Sequence, residues 1–478
     1  MFFNSLSFAL FLPIVFCLYW FVFNTSKKAQ NTLLILASYY FYSCWDWRFL
    51  LLLLFSTFLD YFTAIKIENS ANPGMRKFWF WLSVGINLGF LGVFKYYDFF
   101  AVSFAGFIHG FGFNVSPVLL NLILPVGISF YTFHGLSYII DIYNNKIKAE
   151  HNFIDYALFV SYFPLLVAGP IERATHLLPQ VKVKRSFNYN QAKEGIYQIV
   201  WGLFKKVVIA DTCAMYANAI FDNYESMNSL SLFLGAIYFA FQIYGDFSGY
   251  SDIALGTSKL FGLDLLRNFN YPYFSRDIAE FWRRWHISLS SWFRDYVYIP
   301  LGGSKGSKFK QIRNVFVIFL LSGFWHGANW TFIAWGFINA LYFLPLLLLN
   351  KNRSNMDTIH LKRDFNSLKV IASILSTFLL TCLAWVFFRS KTISDALKYI
   401  KNVFAFKFDG GFEYLTIDRY SSEVLFLVSV FIIIEWNSRE SIHPITGNFK
   451  NLKLLLIILS IFLFGVFSQV SEFIYFQF

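Results

Sequence analysis

Two of the eight histidines lie in segments whose composition suits catalysis. The first is His326, in the run Ser-Gly-Phe-Trp-His-Gly-Ala-Asn-Trp of residues 322–330, within a long apolar stretch. An ionisable group there is costly unless it faces a cavity or a partner, and neutral imidazole is the usual general base near neutral pH. Gly323 and Gly327 allow close backbone approach, for tight packing or for a ligand. The residues favour neither a general base nor a structural histidine bonded to a neighbouring helix.

The second is His286, in the run Phe-Trp-Arg-Arg-Trp-His-Ile-Ser-Leu-Ser of residues 281–290. If this segment is one helix, Arg283 and Arg284 project within a turn of His286, and their guanidinium groups favour an anionic ligand such as a phosphate. The alternative is an interfacial helix whose arginine and tryptophan side chains hold lipid headgroups. Both interpretations stay open at the level of residue types.

Motifs for several other chemistries are missing from the sequence. It contains no HExxH, no GxxxxGK[ST] and no GxSxG run. The four cysteines are far apart and form no CxxC, so neither a disulfide framework nor a zinc site is indicated. Metal-ligating side chains do not cluster along the chain, and the sequence therefore predicts no metal site.

The composition of the chain defines the environment of these histidines. Of 478 residues, 57% are apolar and only 14% are charged, with 22% aromatic. A soluble domain carries about a quarter charged residues, so an ordinary cytosolic protein is excluded. The formal net charge of +12 lies mainly in short loops between apolar runs, which indicates the positive-inside effect and not nucleic-acid binding.

Apolar runs of spanning length predict the fold. Five spans (6–23, 31–45, 49–65, 78–94 and 118–143) alternate with basic loops so that the N-terminus lies outside. Residues 153–168 are short and basic on both flanks, which predicts a re-entrant or surface helix. Further spans are predicted at 195–221 and 230–244, in a hairpin over 315–349 that turns near 325–330, and near 370–388, 422–436 and 454–474. The expected fold is all-α and polytopic, with about 11–12 spans plus re-entrant and interfacial helices.

Residues 246–313 are the least lipid-like part of the chain, because they interleave charges such as Asp246 and Asp252 with aromatic side chains. Such charges must line an aqueous cavity, pair with one another or lie at the surface. This region is therefore where function is expected.

Four motifs resemble the membrane-bound O-acyltransferase superfamily. They are WRRWHISLSSWFRDYVYIPLGG (282–303), GFWHGANWTFIAWG (323–336), QIYGDFSGYSDIALG (242–256) and AGPIER (168–173). The PLGG element and the terminal FIYFQF (473–478) are similar to the alginate O-acetyltransferase branch. The resemblance spans nearly the whole chain and implies a single domain over 1–478, with a catalytic core at about 118–350.

The resemblance also implies roles for particular residues. His326 would be the catalytic histidine and His286 the assisting one, beside a central funnel or tunnel through the bilayer. Acyl transfer of this kind also needs a donor for the oxyanion, and the sequence does not separate Asn329, His286 and a backbone N–H as candidates. Arg283, Arg284, Lys305 and Lys308 lie near or in the predicted cytoplasmic loops, where they would meet either the phosphates of acetyl-CoA or anionic lipid. Asp246 is a further substrate-binding candidate.

For substrates and partners, the resemblance implies an acyl donor in the cytoplasm, acetyl-CoA or an acyl carrier, and no bound cofactor. The acceptor would be an extracytoplasmic polysaccharide, either an alginate-like exopolysaccharide or a cell-wall glycan. A separate extracytoplasmic acetyl-transfer protein is the expected partner, and a bacterial inner membrane is the expected location.

Two other classes stay open beside a membrane O-acetyltransferase. A transporter or channel is suggested by charges at membrane depth, such as Asp60, Asp141, Asp246 and Asp252. A scaffold that only anchors a secreted enzyme would need neither histidine. Within the family, the acyl group could also be another one, such as D-alanyl.

Overall fold

The structure is a computed structural model that describes residues 1–166, 169–357, 365–409, 423–467 and 473–474. It divides into two compact units, one of Met1–Gly195 and Ala254–Leu266, and one of Ile196–Ile253 and Arg267–Phe478. The described residues form helices and connecting segments without a β-strand. The prediction of an all-α polytopic fold is confirmed. The single-domain prediction over 1–478 stays a prediction.

Helices of the first unit follow one another in chain order, and the longest connection, 110–127, lies between the fifth and the sixth. They are α1 (Leu6–Cys17), α2 (Lys27–Ser43), α3 (Trp47–Asn69), α4 (Pro73–Leu91), α5 (Tyr97–His109), α6 (Ile128–Tyr143), α7 (Phe153–Ser161), α8 (Phe163–Leu166) and α9 (Ala174–Val181).

A buried polar cluster joins α3, α4 and α6 in the first unit. Oδ1 of Asp60 accepts hydrogen bonds from Ser83 Oγ at 2.6 Å and Asn87 Nδ2 at 2.8 Å. Gly135 of α6 leaves the space for this carboxyl group, because a Cβ there would overlap Asp60 Oδ2. A charged residue at membrane depth is thus engaged in helix packing, as buried polar groups require.

From residue 189 onward the helices range from seven to 32 residues, and they carry His326 and flank His286. They are α10 (Tyr189–Phe204), α11 (Asp211–Asp222), α12 (Ser229–Leu260), α13 (Ile278–Arg284), α14 (Ile287–Phe293), α15 (Lys308–His326), α16 (Trp330–Leu348), α17 (Phe365–Arg389), α18 (Ile393–Val403), α19 (Glu423–Asn437) and α20 (Lys450–Phe464).

Five helices among the described residues are long and apolar enough to cross a membrane: Trp47–Asn69, Pro73–His109, Ser229–Leu260, Trp330–Leu348 and Ser367–Arg389. The predicted hairpin over 315–349 is confirmed as α15 and α16, which pack against each other and turn at 327–329. The count of about 11–12 crossings and the central funnel stay predictions.

Several predicted boundaries were wrong. The span predicted at 230–244 continues as one helix, Ser229–Leu260, and the helix in the span predicted at 454–474 ends at Phe464. The span predicted at 118–143 is helical only over Ile128–Tyr143, because Pro117 and Pro125 disfavour a helix before it and Gly127 takes a left-handed φ of 73°. The helix predicted at 78–94 runs on through a π-helical turn, Gly92–Tyr96, into α5. Nothing in its sequence interrupts it before Gly110.

Candidate active site

His326 is the last residue of α15, and its side chain is buried, with 3% of its surface exposed. At least three aromatic rings among the described residues contact the imidazole. The ring centroids lie 4.9 Å away for Trp325, 5.1 Å for Trp335 and 5.3 Å for Phe388. We call these three residues the aromatic cage. It holds the imidazole in one orientation within apolar surroundings, where a polar interaction is stronger than in water.

Helix packing around α16 positions the cage. Trp335 of α16 stacks on Trp385 of α17, with centroids 5.5 Å apart and planes 17° from parallel. Phe388, one helical turn after Trp385, meets Trp335 edge-on at 5.2 Å. The cage therefore depends on three helices meeting at one point, because α15, α16 and α17 each supply at least one ring.

The turn after His326 is fixed by Asn329. Its Oδ1 caps α16 by accepting the Thr331 N–H at 3.0 Å, as N-cap asparagines do. Its Nδ2 donates to the Lys391 carbonyl at 3.1 Å. The structure thus gives this amide two backbone partners, and its predicted role towards substrate stays a prediction.

His286 is fully buried and lies between α13 and α14, with φ of 43° and ψ of 55°. The single helix expected over 281–290 is therefore wrong, since α13 ends at Arg284 and α14 begins at Ile287. Left-handed backbone is uncommon for a residue with a side chain and persists only where the surroundings hold it.

Asn268 holds this turn. Its carbonyl oxygen accepts the Ile287 N–H at 2.8 Å, and its Oδ1 lies 2.9 Å from His286 Nδ1. The same Oδ1 accepts from Ser288 Oγ at 2.9 Å. Among the described residues, His286 Nε2 has no hydrogen-bond partner. Burial lowers the pKa of His286 to about 3, so the imidazole is neutral at physiological pH.

Trp325 connects the two histidines. Its ring lies 6.0 Å from the His286 ring and 4.9 Å from the His326 ring. Phe247 meets His286 edge-on at 4.6 Å. Both histidines predicted from the sequence therefore contact the same tryptophan, and their other ring neighbours are also aromatic.

The two arginines beside His286 have partners in the protein. Arg284 pairs with Glu280 at 2.7 Å, and Arg283 donates to the carbonyls of Asn352 and Asn355, each at 2.9 Å. Arg284 also donates to the Asn270 carbonyl at 3.3 Å, so both guanidinium groups link α13 to a loop. Their contact with donor phosphates or with lipid stays a prediction.

Asp246 lies in a buried ion network on α12. Its Oδ1 is 2.8 Å from Lys206 Nζ, which also contacts Asp211 at 2.7 Å. Its Oδ2 accepts the Ile474 N–H at 2.7 Å. The structure shows these contacts within the protein, and a contact of Asp246 with substrate stays a prediction.

Residues adjacent to the cage line two cavities. One of about 180 Å³, which we call the apolar cavity, includes Ser322, one turn before His326, and Trp282, whose ring is 5.6 Å from Trp335. Its other lining residues are Leu289, Ser290, Phe293, Arg294, Tyr298, Val315, Ile318, Phe319 and Phe343.

The second cavity has a volume of about 440 Å³, and one of its lining residues is Arg389, which follows Phe388 of the cage. We call it the polar cavity, and its other lining residues are Phe221, Asp222, Asn223, Tyr224, Glu225, Ser226, Ser390, Lys391, Asp395 and Tyr399. The Tyr224 hydroxyl donates to Asp395 at 3.1 Å. Within the part of the chain that the structure describes, no group of three or more His, Cys, Asp or Glu could hold a metal ion.

Sequence reasoning missed Asn268, Trp335 and Phe388. Asn268 lies 18 residues before His286, and Phe388 lies on a helix that the sequence analysis treats only as a span. No local pattern connects Asn268 with His286 or Phe388 with His326.

The all-helical fold with long apolar helices is that of a polytopic membrane protein. Residues 143–388 match the model of the membrane-bound O-acyltransferase family, and the chain belongs to this family. The predicted resemblance is thereby confirmed, and the protein is an O-acyltransferase.

Three relatives illustrate the range of similarity. The chain is 41% identical over 400 residues to the probable alginate O-acetylase AlgI of Pseudomonas aeruginosa, covering 83% of this chain and 73% of that protein. It is 35% identical over 523 residues to the peptidoglycan O-acetyltransferase of Helicobacter pylori, covering 98% and 95%. It is 30% identical over 285 residues to the teichoic acid D-alanyltransferase of Bacillus subtilis, covering 57% and 70%.

Proposed function

We propose that this protein transfers an acetyl group from a cytoplasmic thioester to hydroxyl groups of an extracytoplasmic polysaccharide, with acetyl-CoA as the donor. The acceptor is an alginate-like exopolysaccharide or a cell-wall glycan. The observation that carries the proposal is the position of His326, which ends α15 inside the aromatic cage. Ser322, one turn before it, lines the apolar cavity, and Arg389, next to Phe388 of the cage, lines the polar cavity. The relatives named for alginate and peptidoglycan O-acetylation support the acceptor class.

The apolar cavity suits the donor. Its lining residues Val315, Ile318 and Ser322 follow α15 from near its start towards His326. At about 1.5 Å per residue a helix of this length spans roughly the hydrocarbon thickness. The preceding loop is basic, with Lys305, Lys308 and Arg313 near the start of the helix, and basic loops favour the cytoplasm. An apolar passage from that side accommodates a thin acyl-thioester arm.

The polar cavity suits the acceptor. It lies at the other end of α15, where Asn329 bonds the Lys391 carbonyl, and it is lined by carboxylates, hydroxyls and basic groups. Asp222 and Glu225 belong to the acidic loop between the spans predicted at 195–221 and 230–244, and the absence of Lys and Arg from this loop favours the outside. Hydroxyl-rich ligands need such a dense set of hydrogen-bonding groups, and a polysaccharide or an acetyl-transfer partner protein would present its hydroxyl here.

The reaction follows from the weak nucleophilicity of an alcohol. The His326 imidazole removes the hydroxyl proton while the oxygen attacks the thioester carbonyl carbon. Hydrogen-bond donors stabilise the oxyanion that forms. The carbon–sulfur bond then breaks, the imidazolium returns its proton to the leaving thiolate, and an ester and a free thiol result. His286 assists by orienting substrate.

The test is acetyl transfer by the purified full-length protein in lipid nanodiscs, with radiolabelled acetyl-CoA and two acceptors, an oligouronate and a peptidoglycan glycan fragment. Wild type should release free thiol and label one acceptor, and His326→Ala, at matched folded amounts, should do both about 10²–10⁴-fold more slowly. Labelling by D-alanyl carrier protein thioester but not by acetyl-CoA would reassign the acyl group. Solute uptake that survives His326→Ala would favour a transporter.

A further inference from the structure

The hydrogen bonds around Asn268 determine which nitrogen of His286 carries the proton. Oδ1 of Asn268 accepts from Ser288 Oγ at 2.9 Å and from the Ser288 backbone N–H at 3.4 Å. A backbone N–H can only donate, so the atom facing Ser288 is the amide oxygen. The amide nitrogen lies on the other side and donates to Ser251 Oγ at 3.2 Å.

His286 Nδ1 lies 2.9 Å from this same amide oxygen. An oxygen that only accepts requires a proton on its partner, so Nδ1 carries the hydrogen. In a neutral imidazole the other nitrogen then has a free lone pair. Among the described residues this Nε2 has no hydrogen-bond partner, although the side chain is fully buried.

The neighbours of the His286 ring are aromatic, so the Nε2 lone pair stays available to a ligand. Phe247, Phe269 and Trp325 form the ring contacts of His286. A buried acceptor without a partner is costly, and such a group in a native protein calls for an explanation, a catalytic role being one.

We propose that Asn268 is a positioning residue that holds His286 in the Nδ1–H tautomer and so presents Nε2 as a hydrogen-bond acceptor to an N–H or O–H group of substrate. This inference rests on the proposed function for its ligand. Two groups have that chemistry: the amide N–H of the pantetheine arm and the acceptor hydroxyl. In this tautomer Nε2 cannot donate to an oxyanion, so the oxyanion donors lie elsewhere.

Residues 268–270 also hold the backbone around His286. Asn268 accepts the Ile287 N–H at 2.8 Å, and Asn270 donates to the Arg284 carbonyl at 2.9 Å. These two bonds hold the chain on both sides of the left-handed His286. One short segment, 268–270, therefore sets both the backbone conformation and the tautomer of this histidine.

Nitrogen NMR of ring-labelled histidine in proteoliposomes tests the tautomer without any turnover, so its outcome is independent of the proposed function. The His286 signals are assigned by their loss in His286→Gln. In wild type Nδ1 should be protonated and Nε2 bare. Asn268→Ala should mix the tautomers, whereas Ser288→Ala, which keeps the Asn268–His286 bond, should retain the Nδ1–H form. A protonated Nε2 in wild type, or an unchanged tautomer in Asn268→Ala, would overturn the assignment.

The ligand is identified by titration of the same sample. Addition of coenzyme A or of an oligosaccharide acceptor should shift the Nε2 signal for the ligand that donates to it. If saturating amounts of neither shift it, the role towards substrate is wrong. Asn268→Asp keeps an acceptor for Nδ1–H and should retain more turnover than Asn268→Ala at equal folded amounts. Should Asn268→Ala fail to fold, the wild-type tautomer and the Asn268→Asp variant still decide the question.

Discussion

Gly323 and Gly336 face each other across the α15–α16 hairpin, and a Cβ built on Gly323 would lie 3.4 Å from the Cα of Gly336. A Cβ on either glycine would overlap a backbone carbonyl of the opposite helix, that of Phe332 or of Phe319. The helices that carry His326 and Trp335 therefore touch through their backbones, as small residues permit. Of the two predicted uses of Gly323, tight helix packing is the one the structure shows.

Gly336→Ala should separate this hairpin and displace Trp335 from His326. Overpacking of this kind typically costs about 1–3 kcal/mol, and activity should fall further than stability because the cage is disturbed. Thermal unfolding can be followed through thiol labelling of the buried Cys213 and Cys382. Gly89→Ala is the control, since a Cβ there meets no atom within 4 Å. Equal behaviour of the two variants would contradict the packing argument.

His326→Ala should lose about 10²–10⁴-fold in acetyl transfer, the usual contribution of a general base. His326→Gln keeps approximate bulk and hydrogen bonding but takes up no proton at neutral pH, so it should be nearly as inactive. Rates are compared at matched amounts of folded, membrane-inserted protein. A Gln variant close to wild type would remove His326 from catalysis and leave it a structural role.

A substitution in one cavity should change the Michaelis constant of one substrate and leave that of the other substrate unchanged. Tyr224→Phe removes the hydroxyl that bonds Asp395 and should raise KM for the acceptor about two- to tenfold, as expected for one hydrogen bond. Ile318→Trp fills the apolar cavity and should raise KM for acetyl-CoA instead. Initial rates with each substrate varied in turn measure both constants. The opposite pattern, or parallel changes, would reject the assignment of the cavities.

Asp246→Ala should destabilise the protein, because Lys206 would lose one of two buried carboxylate partners. Removing one partner from a buried ion pair costs up to about 3–5 kcal/mol, and the remaining Asp211 should keep the loss below that range. Lys398→Ala breaks an exposed pair with Glu225 and should change stability by less than about 1 kcal/mol. Normal melting of Asp246→Ala with a raised KM would indicate a substrate contact.

His176 should make the first unit sensitive to pH. Its Nδ1 lies 2.8 Å from Glu172, and this hydrogen bond raises the pKa of His176 above its usual value of 6.5. Since the folded state holds the proton more tightly, the stabilisation is fully present below pH 6.5 and is lost as pH rises through the higher folded value. His176→Asn should therefore lower the melting temperature more at pH 6 than at pH 9. A pH-independent difference would contradict this coupling.

Much of the fold follows from the sequence because lipid leaves the backbone few choices. Apolar runs of spanning length must satisfy their own hydrogen bonds, so they form helices. That reasoning places the hairpin of α15 and α16 and puts His326 at its turn. It also explains the errors at 118–127 and 94–109, since prolines in one case and uninterrupted apolar sequence in the other decide where a helix stops.

The immediate surroundings of both histidines were decided by tertiary structure alone. Asn268 reaches His286 across 18 residues of chain, and Phe388 reaches His326 from another helix. Hydrophobic periodicity predicts which face of a helix is buried but not which side chain it will meet. The left-handed turn at His286 is also invisible in the sequence, because Trp-His-Ile has no local preference for it. The pairing of a side chain with a distant partner depends on how the helices pack, and that is settled only when the whole unit folds.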